Sequence, residues 1–358
     1  MESVYYMKKL SATQLAISYA GIFLGAGFVS GQELWQFFAC FGPIGLAGFI
    51  GTAVLFFIVN YANLRLIQLT GVEHMGRLMT YGDHPKLRAV VSIMQCLLLF
   101  GVTMIMTAGA STLISELVAI PSWLSGLIFT IAVAAVAVIG LQGLVTVFSV
   151  LVPITTVLAV ILAAWTLINN GFTFAPATGS VSALMPNWII GFVTYAAYNI
   201  FGTISILVPT AKLLESEKTV QHGLGLGSLF LIVLAWSMIA AMAAVPSSGS
   251  YELPMGALAG ELHSVLSLVY SLLMLFGMFG ASLSSIFAVI EQATICIKGI
   301  EKYKMAFTVG MLLLAFVLSQ FGFGNLISVI YPVFGYASIP FLICLMLNFR
   351  KVKKTGTL

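Results

Sequence analysis

Residues 25–38 read GAGFVSGQELWQFF, and they lie inside an apolar stretch that runs from about Ser11 to Cys40. About 30 residues make roughly 45 Å of helix, more than a bilayer core needs. Gly25, Gly27 and Gly31 weaken the middle of that helix, each by about 1 kcal/mol relative to alanine. Ser30 followed three residues later by Glu33 fits a capping box, in which the serine accepts from the amide at position 33 and the glutamate reaches back to position 30. Capping boxes start helices. One in mid-span predicts that a second half-helix begins there.

The rest of the chain agrees with a membrane setting. Of its 358 residues, 60% are hydrophobic and 7% charged, against about 25% charged in a typical soluble domain. The apolar stretches are continuous and do not alternate, so helices are expected and a β-barrel is not. Ten spans are predicted, at about 11–40, 43–69, 89–117, 122–140, 141–168, 187–212, 221–245, 262–291, 304–320 and 323–347. The short junction Ile139–Leu144 implies a tight hairpin between the fourth and fifth. Lys8 and Lys9 precede the first span as in a signal peptide, but the length of the run and Gln14 and Glu33 within it predict a retained span.

With a cytoplasmic N-terminus, all fifteen basic residues fall on the cytoplasmic side: Lys8, Lys9, Arg65, Arg77, Lys86, Arg88, Lys212, Lys218, Lys298, Lys302, Lys304, Arg350, Lys351, Lys353 and Lys354. That is a strong positive-inside pattern, with both termini cytoplasmic. The net charge of +4 therefore reports topology and gives no reason to expect nucleic-acid binding. The spans repeat with an offset of about 176 residues. The expected organisation is a five-helix repeat over 1–168, a second and inverted one over 187–347, and a basic cytoplasmic tail over 348–358. Inverted repeats with interrupted helices are a secondary-transporter architecture.

A helix start within a membrane exposes amides around a cavity or ligand. The amides of Gly25, Ala26, Gly27 and Phe28 thus form a candidate cradle for a carboxylate; close helix packing through small residues is the plainer alternative. Glu33 is a candidate for coupling, since an ionisable group in a span is expensive; completing the capping box is its simpler role. The equivalent sixth span carries YAAYNIFGTISILVP (195–209), with Tyr195, Tyr198 and Asn199 as candidate ligands and Gly202 and Pro209 marking a second candidate break. The eighth carries GASLSSIFAVIEQ (280–292), whose adjacent hydroxyls Ser284 and Ser285 suit a small cation or simply bond back to their own helix.

GAGFVSGQELWQFF, the Tyr-Asn pair of span six and YELPMGALAG (251–260) resemble the YkvI-type bacterial membrane proteins, placed with the amino acid–polyamine–organocation transporters. More distantly the chain resembles LeuT-type sodium-coupled transporters. Gly21, Gly25 and Gly27 match their first-helix glycines, and Ala281, Ser284 and Ser285 match their eighth-helix Ala-x-x-Ser-Ser. The resemblance implies a ten-helix LeuT-type fold with broken helices 1 and 6. It also implies a sodium site from the carbonyls of Gly21, Leu24 and Ala281 and the hydroxyls of Ser284 and Ser285. Phe28 stands where a second sodium site would need asparagine. The fifth span lacks the lysine that replaces sodium in some proton-coupled relatives.

Cys40, Cys96, Cys296 and Cys344 show no disulfide or zinc spacing, and His74, His84, His222 and His263 are dispersed. GLGLGS (223–228) lacks the lysine of a phosphate loop. No cofactor and no enzymatic activity are expected. The expected function is sodium-coupled symport of a small amino acid or similar carboxylate-bearing solute across a bacterial inner membrane. The alternatives are proton coupling through Glu33 and a ligand-sensing membrane subunit. Nothing in the sequence sets the oligomeric state.

Overall fold

The computed structural model describes residues 9–72, 74–82, 84–139, 143–171, 179, 181–296 and 299–356, and every regular element among them is helical. The first apolar stretch forms three pieces, α1 (Ala12–Phe23), α2 (Ala26–Val29) and α3 (Gln32–Phe37). The chain then runs through α4 (Ile44–Thr70), α5 (Met75–Leu78), α6 (Pro85–Val118), α7 (Ser122–Ile139) and α8 (Gly143–Asn170). After it come α9 (Trp188–Lys212), α10 (Glu217–Ala244), α11 (Pro254–Leu262), α12 (Ser264–Cys296), α13 (Lys304–Ser319) and α14 (Phe323–Thr355). The junction expected to make a tight hairpin falls at 140–142, outside the described residues.

Among the described residues seven helices are long and apolar enough to cross a membrane, and eight if the bent α9 counts as one span. The protein is therefore an all-helical, multi-span membrane protein. α9 bends by 59° between its parts 188–204 and 206–212. The first stretch is divided outright: Leu24 and Gly25 separate α1 from α2, and Ser30 and Gly31 separate α2 from α3. α14 keeps its helix through Pro332 and Pro340.

In lipid, helices associate through close packing and hydrogen bonds, because burial from water supplies no drive between them. The pairings here are regular. α1 packs on α10, and α9 packs on α4; α6 lies against α12, α4 against α10, α14 against α6 and α12 against α8. The buried centre is aromatic, with Phe37, Phe38 and Phe49 around Tyr195 at centroid distances of 5.1, 5.0 and 6.3 Å. Further along, Phe23 stacks on Phe56 at 4.1 Å. This packing holds the pieces of the first stretch against α9.

Candidate functional site

The break between α2 and α3 frees backbone groups that a continuous helix would pair, and in a membrane these need partners from elsewhere in the protein. Tyr270 of α12 donates its hydroxyl to the Val29 carbonyl at 2.6 Å, and the Met255 amide of α11 donates to the Ser30 carbonyl at 2.9 Å. Val29 itself donates back to Gly25 at 3.0 Å, which closes the single turn of α2. The break is thus held from two other helices.

The expected capping box at Ser30 is not formed. The residue that caps α3 is Gly31, whose φ of +84° favours glycine, and it makes no side-chain cap bond. Ser30 instead donates its hydroxyl to the Gly27 carbonyl at 2.9 Å and accepts from the Gln32 amide at 3.4 Å. The true capping box is at the start of α1, where Ser11 and Gln14 bond reciprocally at 3.2 and 2.9 Å. Glu33 is free to turn elsewhere because two hydroxyl donors are within its reach across the helix interface.

Those donors come from α9. Glu33 Oε2 accepts from the Tyr198 hydroxyl at 3.0 Å and from the Tyr195 hydroxyl at 3.3 Å. All three side chains are buried. The other edge of the carboxyl lies on Gly27, where a Cβ would come within 2.8 Å of Glu33 Cδ. Tyr198 stacks on Tyr331 of α14 at 4.2 Å with the rings 9° from parallel. Among the described residues the ion pairs are Lys9–Glu215 at 2.5 Å and Arg65–Glu217 at 3.1 Å, so Glu33 has no basic partner there. An acidic residue at the centre of a span costs about 2.5–3.5 kcal/mol by insertion scales, and a hydrogen bond between membrane helices returns about 0.6–2 kcal/mol. The two tyrosines offset much of that cost.

Of the residues singled out in the sequence, Gly27, Glu33, Tyr195 and Tyr198 come together. Phe28 packs edge-on against Phe49 at 6.3 Å, and Asn199 donates to the Tyr195 carbonyl of its own helix at 3.0 Å. Gly21 and Gly25 have nothing within 4 Å of a built Cβ. Ala281, Ser284 and Ser285 lie together on α12, where Ser284 donates to the Ala281 carbonyl at 3.0 Å and Ser285 is buried. α12 meets the first stretch at α2, whereas α1 packs on α10 and α9. Among the described residues no three His, Cys, Asp or Glu side chains could hold a metal ion. Sequence reading missed Tyr270 and Tyr331; each is a tyrosine in an apolar helix with no motif around it, and only the fold shows what it touches.

The chain has the LeuT-type transporter fold. It superposes on the inward-facing conformation of Mhp1 with a TM-score of 0.67 at 13% identity, over 98% of this chain and 78% of that one. It superposes on an Eremococcus coleocola manganese transporter, in complex with an aromatic bis-isothiourea substituted compound, with a TM-score of 0.62 at 12% identity, over 99% and 85%. No family model matches. In sequence it is similar to the uncharacterized membrane protein YkvI of Bacillus subtilis (strain 168), with 25% identity over 338 residues, 93% of this chain and 95% of that one. It is also 21% identical to the uncharacterized protein YyaD of the same strain, over 91% and 94%.

Proposed function

We propose that the protein is a secondary active transporter for a small amino acid or similar carboxylate-bearing solute, working by alternating access in a bacterial inner membrane. The observation that carries this reading is the juxtaposition of a divided first span with Tyr195 and Tyr198 of the bent α9, around Glu33. Interrupted segments in corresponding positions of two halves are where such transporters bind solutes. Ten spans in two inverted halves, the arrangement we propose with both termini cytoplasmic, agree with much of the packing pattern, although the close α14–α9 pairing has only a slight counterpart between α8 and the first stretch. A shift of five spans exchanges the α1–α10 pair with α9–α4 and the α14–α6 pair with α8–α12, and returns α6–α12 and α4–α10 to themselves. The solute carboxylate would lie on the amides of residues 25–28, with its amine towards Tyr195, Tyr198 and Asn199.

Two coupling ions fit. The LeuT-type resemblance implies sodium, held by the carbonyls of Gly21, Leu24 and Ala281 and the hydroxyls of Ser284 and Ser285. A specific observation favours the second reading, a proton on Glu33. Its carboxyl lies against Gly27, beside the amides that would receive the solute carboxylate. Two carboxylates side by side repel, and a proton on one of them removes the repulsion. Proton and solute would then bind together and bias the same conformational equilibrium.

The deciding experiment is uptake into proteoliposomes under a sodium gradient alone and under a pH gradient alone. Sodium coupling predicts uptake in the first, and loss of its sodium dependence in the Ser284→Ala, Ser285→Ala double variant. Proton coupling predicts uptake in the second, with that double variant unchanged. Specific ligand binding with no uptake and no counterflow of labelled solute would overturn the transport reading.

A further inference from the structure

α7, α12 and α13 leave a cavity of 590 Å³ between them at the end of the bundle where α14 also ends. Its ionic lining among the described residues is Glu291 of α12, Glu301 and Lys302 of the turn before α13, and Lys304, the first residue of α13. All four are exposed, as charges at the ends of membrane spans should be. Among the described residues the ion pairs are Lys9–Glu215 and Arg65–Glu217, so none of the four is paired with another. The two threonines of the cavity bond within their own helices, Thr294 to the Glu291 carbonyl at 2.7 Å and Thr308 to the Lys304 carbonyl at 2.8 Å. Two ammonium groups and two carboxylates are therefore the polar groups the cavity offers.

The apolar part of its wall continues into the membrane. A second cavity, of 290 Å³, lies between the same α7 and α13, and Val138 lines both. Along α13 the lining passes from Lys304 and Thr308 to Leu312 and Leu313, and along α7 it runs from Val138 back to Thr130, about two turns deeper. Thr130 donates to the Gly126 carbonyl of its own helix at 2.7 Å, so the groove offers no open donor. Ile131, Val138 and Leu313 are exposed, which opens the groove sideways to hydrocarbon. An ionic chamber at the membrane surface, joined to an apolar groove between the same helices, has the polarity profile of one phospholipid molecule: headgroup in the first, acyl chain in the second.

We propose that α7, α12 and α13 hold a zwitterionic, amine-bearing phospholipid, phosphatidylethanolamine, by its headgroup and one acyl chain. Charge complementarity selects the class. A purely anionic headgroup would meet Glu291 and Glu301 beside the lysines, whereas one phosphate with one ammonium satisfies both signs. The phosphate faces Lys302 and Lys304, and the ammonium faces the two carboxylates. Phosphatidylcholine carries the same charges, but its quaternary ammonium has no N–H, while a primary ammonium donates three charge-assisted bonds. The site is independent of what the protein transports.

The test uses purified, delipidated full-length protein. Native mass spectrometry and thermal shift follow the binding of dioleoyl phosphatidylethanolamine, phosphatidylcholine and phosphatidylglycerol, and of the soluble headgroup O-phosphoethanolamine. The ethanolamine lipid is expected to be retained and to raise the melting temperature more than the other two lipids, and the soluble headgroup to do neither. Glu291→Gln together with Glu301→Gln should lower its affinity by about tenfold or more and abolish its lead over phosphatidylglycerol, through the loss of charge-assisted hydrogen bonds. Both carboxylates are exposed and their amides are isosteric, so the double variant keeps the fold. Ala135→Phe, which fills the groove, should weaken all three lipids and leave their order unchanged. Phosphatidylglycerol or phosphatidylcholine binding as tightly as the ethanolamine lipid, or an unchanged lead in the double variant, would overturn the proposal. So would a soluble headgroup that stabilises the protein as well as the lipid does.

Discussion

Two clusters of polar side chains were marked in the sequence, and they differ in what holds them. Around Glu33 the hydroxyls of Tyr198 and Tyr195 reach across from another helix at 3.0 and 3.3 Å. At Ser284 the hydroxyl turns back to the Ala281 carbonyl of its own turn at 3.0 Å. The first arrangement ties two spans together, so it changes whenever those spans move. The second is complete within one helix, and a ligand must recruit it. A group that links moving parts can couple a bound ion to a conformational change, whereas one satisfied locally needs the ion itself to make the link.

The sharpest way to break this contrast is Glu33→Gln. It keeps the volume and removes the acidic proton and the charge. Uptake is expected to fall by roughly 30- to 150-fold, the effect of losing about 2–3 kcal/mol of charge-assisted bonding. Expression and elution profile should stay native, since the amide still accepts from both tyrosines. Uptake at the native rate under every gradient would mean that Glu33 only braces α3 against α9.

How much of this could be read from the chain depends on how local each cause is. Membrane class and most spans follow from continuous apolar runs, and those are visible residue by residue. The weak point of the first stretch was legible too, because Gly25, Gly27 and Gly31 act on their own backbone. What the reading got wrong was the partner of Glu33. Ser30-x-x-Glu33 satisfies a local pattern, but two tyrosine hydroxyls more than 160 residues away compete for the same carboxyl and win. The pattern names a possible bond and says nothing of rivals from distant chain. For the same reason Tyr270, Tyr331 and the buried, unpaired oxygens of Gln32 and Gln36 carry no sequence signal. Their meaning lies in which helix faces which.

A pair of glycine substitutions sharpens the contrast next. A methyl at Gly27 would come within 2.8 Å of Glu33 Cδ, while one at Gly25 meets nothing within 4 Å. The obstacle at Gly27 is the end of a flexible side chain, so the fold can yield by moving the carboxyl off its tyrosines. Gly27→Ala should therefore still fold, with a slightly lowered melting temperature, and lose roughly tenfold in uptake, a cost of about 1.4 kcal/mol. Gly25→Ala should keep its melting temperature and stay within about twofold in uptake. Equal losses in the two would mean that the glycines serve flexibility of the break and that the Glu33 contact is incidental.

The smallest expected effects separate the two tyrosines. Each Tyr→Phe change removes one hydroxyl and keeps the ring, so the aromatic packing around Phe37, Phe38 and Tyr331 survives. Glu33 retains the other donor, which limits the loss to about 1 kcal/mol, or roughly fivefold in uptake, for Tyr198→Phe. Tyr195 stands 0.3 Å farther from the same oxygen (3.3 against 3.0 Å), and its removal should cost about twofold. The double variant leaves the carboxyl with no hydroxyl partner and should exceed the sum of the two in free energy, because the second loss strands a buried polar group. Strict additivity in that cycle would show that each tyrosine acts on the solute separately, and the cluster would then be three neighbouring groups with no shared function.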